Sequence, residues 1–191
     1  DVSFALNAGA QLSAAPSNLT FTSANWNLAQ TVTVTATDDA LVEGAHSGAI
    51  GQSTSSSDLN YNAISIAGIN ASISDNDSAV VNFAPIAVSQ SEGVSAMAFT
   101  VTLSNPVASG VTLTLNSANG SAGAADYTAI TNATVSFAAS STTAQTVNVA
   151  INNDALDEPN ETFGLTLSNL SATGNVTLGS AAANGGRCAC R

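Results

Sequence analysis

Short runs in which polar and apolar residues alternate constrain the fold of this chain more than any other feature. The runs lie at residues 31–35, 99–103, 111–115, 146–149 and 163–167. Alternation with a period of two places one set of side chains on a core and the other in water, as in a half-buried β-strand. Clusters of Gly, Asn, Ser and Pro separate the runs, and no stretch has sustained helical spacing. The chain is therefore predicted to be all-β, with antiparallel sheets packed as sandwiches.

The sequence also repeats itself. Residues 29–43 (AQTVTVTATDDALVE) and residues 144–158 (AQTVNVAINNDALDE) are identical at nine of fifteen positions, at an offset of 115 residues. This offset is close to the length of one immunoglobulin-like sandwich, about 100 residues. We therefore predict two tandem immunoglobulin-like antiparallel β-sandwiches, at residues 1–78 and 79–184, followed by a tail at residues 185–191.

Cations are almost absent from the chain. Its 191 residues include 13 Asp or Glu but only two Lys or Arg, and the net charge is −11. The two cations, Arg187 and Arg191, both lie in the last five residues. Nucleic-acid binding and docking on anionic membranes are disfavoured, because both need cations against phosphate. No run of 18 apolar residues is present, so we expect no membrane insertion.

Most of the carboxylates lie in or beside predicted turns. They are Asp38, Asp39, Glu43, Asp75, Asp77, Glu92, Asp126, Asp154, Asp157, Glu158 and Glu161. Two carboxylates about 4 Å apart repel by about 1 kcal/mol in water, and more where solvent is excluded. Ca²⁺ would relieve this repulsion, because it prefers six to eight oxygen ligands on flexible loops. The alternative is that these acids are solvated turn residues that keep the surface soluble.

Three motifs in the second half of the chain resemble the Calx-beta domain. They are residues 91–93 (SEG), 125–128 (ADYT) and 153–163 (NDALDEPNETF). In that family, acids at these positions bind Ca²⁺ at one end of the sandwich. The resemblance therefore implies Ca²⁺ ligands at Glu92, Asp126, Asp154, Glu158 and Glu161. Asn153 stands where the family pattern has a second Asp, which lowers the charge of the implied site.

Residues 1–78 resemble a bacterial variant of the same family. The motifs are residues 21–26 (FTSANW), 57–61 (SDLNY) and 73–77 (ISDND). Here the resemblance implies metal ligands at Asp38, Asp39, Glu43, Asp75 and Asp77. Residues 1–78 begin at what resembles the third strand of the family, and residues 79–184 lack its closing Asp-rich strand. Each sandwich is therefore predicted to be incomplete at a sheet edge.

These observations predict a non-enzymatic structural or adhesive module of an extracellular protein. Two sandwiches in tandem would form a rod, with Ca²⁺ stiffening the junction at Asp75 and Asp77. An enzyme is disfavoured, since His46 has no activated Ser or Cys partner in a recognisable motif. The alternative is a self-assembling extracellular filament subunit, in which a neighbouring chain donates the missing strands. A fragment of a longer repeat protein, whose neighbouring repeats supply those strands, and a Ca²⁺ sensor are further possibilities.

Overall fold

The computed structural model describes residues 1–91, 93–154 and 158–188, with only the backbone of residue 188. Contacts divide the chain into two units: unit 1 comprises Asp1–Asp39 and Ala45–Asp75, and unit 2 comprises Ala40–Gly44 and the chain from Asn76 onwards. All regular elements of the described residues are β-strands, which confirms the predicted all-β class. In these same ranges, no helix is long and apolar enough to cross a membrane.

Unit 1 contains six strands. They are β1 (Val2–Asn7), β2 (Leu12–Ala15), β3 (Asn18–Phe21), β4 (Thr33–Ala36), β5 (His46–Ser56) and β6 (Ile69–Ile73). Four of them form an antiparallel sheet in the order β3-β1-β5-β6, while β2 and β4 form a separate antiparallel pair. The buried apolar side chains of the described part of unit 1 are Leu12 and Ile50. Unit 1 therefore has a small core for its six strands.

Unit 2 contains nine strands in two sheets. They are β7 (Ser78–Phe83), β8 (Ala87–Ser91), β9 (Ala96–Leu103), β10 (Val111–Asn119), β11 (Ala133–Phe137), β12 (Gln145–Ala150), β13 (Glu161–Ser171), β14 (Asn175–Leu178) and β15 (Ala182–Cys188). One sheet has the order β11-β10-β13-β15-β8, and the other has the order β12-β9-β7-β14. The pairs β14–β7 and β15–β8 are parallel, and the remaining pairs are antiparallel.

The core of unit 2 is built from the alternating residues that predicted the strands. Phe99, from the β9 sheet, lies edge-on to Phe163 from the facing sheet, with ring centroids 6.1 Å apart. Both rings are buried, as are Val101, Leu113 and Leu165. Each such side chain contributes about 1.5–3 kcal/mol through burial. Strand alternation therefore determines which faces meet, since every second residue points inward.

The structure corrects the predicted tail. Residues 185–188 belong to β15, which pairs with β13 on one side and with β8 on the other. The closing strand of unit 2 is therefore present, and the prediction that residues 79–184 lack one was wrong. Gly185 and Gly186 lie where neighbours leave no room for a side chain. A Cβ on Gly185 would overlap the Phe163 ring, and one on Gly186 would lie 2.7 Å from Ser89 Oγ.

The segment after β4 also differs from the predicted organisation. Residues 40–44 fall inside the predicted first sandwich, but their contacts place them in unit 2. Val42 is fully buried in the unit 2 core and forms a parallel bridge with Val107. Burial of this one apolar side chain explains the assignment, because an exposed Val would forgo the stabilisation that burial provides.

Candidate metal centre

Three carboxylates converge at one end of unit 2. Asp126 lies between β10 and β11, Glu158 lies just before β13, and Glu161 is the first residue of β13. One oxygen from each lies within 4.8 Å of the others. In the described residues, this is the one group of three or more Asp, Glu, His or Cys side chains with that proximity. It therefore has the composition of a cation site.

The turn that carries Asp126 is fixed by its neighbour Tyr127. The Tyr127 ring stacks on Phe163 with centroids 4.4 Å apart and planes 15° apart, and its hydroxyl donates to Asn119 Oδ1 at 2.8 Å. Within the turn, the Gly123 amide donates to Asp126 Oδ2 at 2.7 Å. The buried aromatic ring anchors the turn, and the turn presents the other Asp126 oxygen to the cluster.

The centre of the cluster is filled by Arg187. Its side chain is 3% exposed, and its Nη2 lies 2.9 Å from Asp126 Oδ1 and 2.9 Å from Glu161 Oε2. The same nitrogen contacts Glu158 Oε2. Arg187 lies directly opposite Glu161 in the β13–β15 register. Cross-strand pairing therefore brings the guanidinium to the acids, and charge-assisted hydrogen bonds hold it there.

The three carboxylates are suitable ligands for Ca²⁺, but the space between them is already occupied. Carboxylate oxygens on loop ends are the ligands that Ca²⁺ prefers. However, the point at which the three carboxylates converge holds Arg187 Nη2. A metal ion and this guanidinium cannot occupy the same point. The residues present therefore do not fit a resident Ca²⁺ while Arg187 keeps its position.

None of the other predicted ligands that the structure describes belongs to this group. Asp154 is exposed between β12 and β13, and Asp38 and Asp39 are exposed after β4. Glu43, Asp75 and Asp77 are half-buried, and these three residues, like Asp39 and Asp154, each make an interaction in the structure. Glu92 lies outside the described residues, as does Asp157. A metal-binding role for these acids stays a prediction.

Sequence reasoning missed Arg187. Arg187 falls in the predicted tail at residues 185–191, outside the motifs that resemble the family. One signal could have identified it. In a chain with 13 acids and two cations, an arginine within reach of a strand is the first candidate partner for converging carboxylates.

Comparison with known proteins gives a family and several related folds. The Calx-beta domain model matches residues 74–184. The "Apo-form Calx CBD1 domain" crystal structure is similar, with TM-score 0.53 and 17% identity over 58% of this chain and 96% of that one. The "calcium binding domain CBD12 of CALX1.1" gives TM-score 0.52 and 18% identity, over 56% of this chain and 44% of that one. The "Calx CBD2 domain" gives TM-score 0.50 and 11% identity, over 56% and 85%. No curated protein matches the chain.

Fold and site together define an immunoglobulin-like β-sandwich module with an acidic loop end. The family match spans more than half of the chain, so the chain belongs to the Calx-beta domain family. The match covers most of unit 2 and only the last residues of unit 1. Arg187 lies three residues beyond its end at residue 184.

Proposed function

We propose that the chain is a non-enzymatic structural and adhesive module of an extracellular protein, in which β-sandwich units in series act as a spacer. The observation that carries this proposal is the cluster at the end of unit 2. Arg187 joins the Asp126 turn, the segment that carries Glu158 and the start of β13. These charged groups join three segments of the chain, and loss of any one partner would leave a partly buried charge uncompensated, at a cost in stability. The composition, in which Ala, Ser, Thr, Asn and Gly stand in place of Lys, Glu and Arg, resembles that of secreted bacterial surface proteins and supports the extracellular location.

Small-angle X-ray scattering of the full chain tests whether the chain acts as a spacer. A compact globule of this length would have a radius of gyration of about 16 Å. We expect a value well above this in both chelator and Ca²⁺, because a spacer must keep its units apart. A radius near that of a globule would contradict the proposal.

The remaining part of this proposal is that Ca²⁺ binds at Asp75 and Asp77. Asp75 and Asp77 lie on either side of the boundary between the unit 1 and unit 2 residues. If Ca²⁺ stiffens this stretch, adding it should increase the maximum dimension measured by scattering, and the double variant Asp75→Asn/Asp77→Asn should lose the increase. Identical scattering profiles with and without Ca²⁺ would remove the metal from the proposal.

Self-assembly into a filament is a second candidate function, supported by an apolar groove in unit 1. The groove has a volume of about 330 Å³. Its apolar lining is Phe4, Leu6, Leu19, Phe21, Val32, Val34, Ile50 and Ile69. Of these, Val34 is 40% and Ile69 is 53% exposed. A β-strand from a second copy would cover this lining and pair with open strand edges.

Charged substitutions in the groove test this second function. We expect sedimentation velocity to show concentration-dependent association of the wild-type chain, and Val34→Lys or Ile69→Lys to weaken it about tenfold or more by burying a charge. Both positions are partly exposed, so folding should tolerate the change. Leu59→Lys is the matched control, since Leu59 is 87% exposed and lies outside the groove lining. A wild-type chain that stays monomeric at every concentration would exclude self-assembly.

A further inference from the structure

We infer that Arg187 replaces Ca²⁺ as the cation of the acidic cluster, so that the loop end of unit 2 is closed without metal. The structures that resemble unit 2 include one described as a calcium binding domain. In this chain, three carboxylates converge at one end of unit 2, but the positive charge among them comes from the Arg187 side chain.

One atom makes all three contacts. Arg187 Nη2 reaches Asp126, Glu158 and Glu161 together, and two of these contacts measure 2.9 Å. A Ca²⁺ ion bound to the same oxygens would lie about 2.3–2.6 Å from each of them. The ion and the nitrogen therefore require the same space. Binding of one excludes binding of the other.

The backbone of Arg187 is held on both sides. In the β15 register, Arg187 lies opposite Glu161 of β13 and opposite Gln90 of β8. A residue in the interior of a sheet has already lost its backbone freedom, so only the rotamer entropy of the Arg187 side chain remains to be lost when it makes its contacts. The guanidinium is therefore pre-positioned among the carboxylates and acts as a permanent competitor for any ion.

Burial makes this competitor difficult to displace. The Arg187 side chain is 3% exposed, while those of Asp126, Glu158 and Glu161 are 10%, 24% and 15% exposed. For Ca²⁺ to enter, three charge-assisted contacts must break and the guanidinium must move to water. The apparent Ca²⁺ affinity equals the intrinsic affinity of the open cluster multiplied by the fraction of molecules in which the cluster is open.

Arg187, the cation of the cluster, lies outside the region that the family model matches. The Calx-beta match ends at residue 184, and Arg187 follows it. The whole sequence contains only one other Lys or Arg, which is Arg191. The geometry of unit 2 supports Arg187 as the cation of the cluster whether or not the chain acts as a spacer.

Calorimetric Ca²⁺ titration of the full, metal-free chain tests the inference. We expect Arg187→Gln to gain one Ca²⁺ site that is about 100-fold tighter than any binding of the wild type at this cluster. The double variant Arg187→Gln/Asp126→Asn should lose that site. Asp126→Asn alone should leave the Ca²⁺ response of the wild type unchanged. A wild-type site that Asp126→Asn removes, or no gain in folded Arg187→Gln, would overturn the inference.

Nuclear magnetic resonance of the wild type provides a test that needs no destabilised variant. The sequence contains two arginines, so the Arg Nε–H region holds two signals, and a spectrum of Arg191→Gln assigns them. We expect the Arg187 signal to exchange slowly with water and to keep its position up to about 10 mM Ca²⁺, above the range of weak extracellular calcium modules. A saturable shift of this signal with Ca²⁺ would overturn the inference.

Discussion

Replacing Arg187 with alanine is expected to lower the free energy of unfolding of unit 2 by about 3–5 kcal/mol in the absence of divalent metal. The physical reason is that the change leaves three converging, partly buried carboxylates without the guanidinium between them. Urea denaturation in chelator, followed by near-ultraviolet circular dichroism, measures the loss. Tyr127 reports on unit 2, because its ring is buried against Phe163.

Two comparisons separate this local effect from a change in net charge. Arg191→Ala removes the same charge from the chain, so the two variants would lose equal stability if net charge were the cause. Adding Glu161→Gln to Arg187→Ala should recover part of the loss, since it removes one of the repelling carboxylates. An Arg187→Ala variant as stable as the wild type would contradict the central role given to this ion cluster.

Replacing Phe163 with alanine is expected to destabilise unit 2 by about 3–5 kcal/mol. Phe163 is 2% exposed and contacts the rings of both Tyr127 and Phe99. Its loss leaves a cavity in the core and removes the surface on which Tyr127 stacks. Because Tyr127 anchors the turn that carries Asp126, the variant should also show faster hydrogen exchange at the Asp126 amide.

A double-mutant cycle with Gly185 checks this packing. A Cβ at Gly185 would overlap the Phe163 ring, so Gly185→Ala should destabilise the wild type by about 1–3 kcal/mol and have little effect in Phe163→Ala. Gly164→Ala is the matched control in the neighbouring strand, where the nearest atom to a new Cβ is Ala118 O at 3.9 Å. Equal effects of Gly185→Ala in both backgrounds would show that the ring is not what restricts Gly185.

The acids of the cluster show which part of the site could be predicted from sequence patterns. Asp126, Glu158 and Glu161 were identified from motifs around turns, and the structure brings these three together. Local features, such as a buried Tyr beside an Asp, fix each turn and so let a motif indicate where an acid lies. The same patterns could not separate Asp154 from these three acids, because the path of the loop decides which carboxylates converge.

Alternation in the sequence by itself determined that this chain forms β-sheets, because the period of a strand is a local property that repeats every two residues. It also determined that acids would gather at turns with few cations to oppose them. Only the tertiary structure decided which cation they meet. Arg187 is 61 residues from Asp126 in the sequence, and its place among the carboxylates comes from the pairing of β15 with β13 and β8. Strand pairing joins residues that are distant in the sequence, so a local sequence pattern cannot predict it.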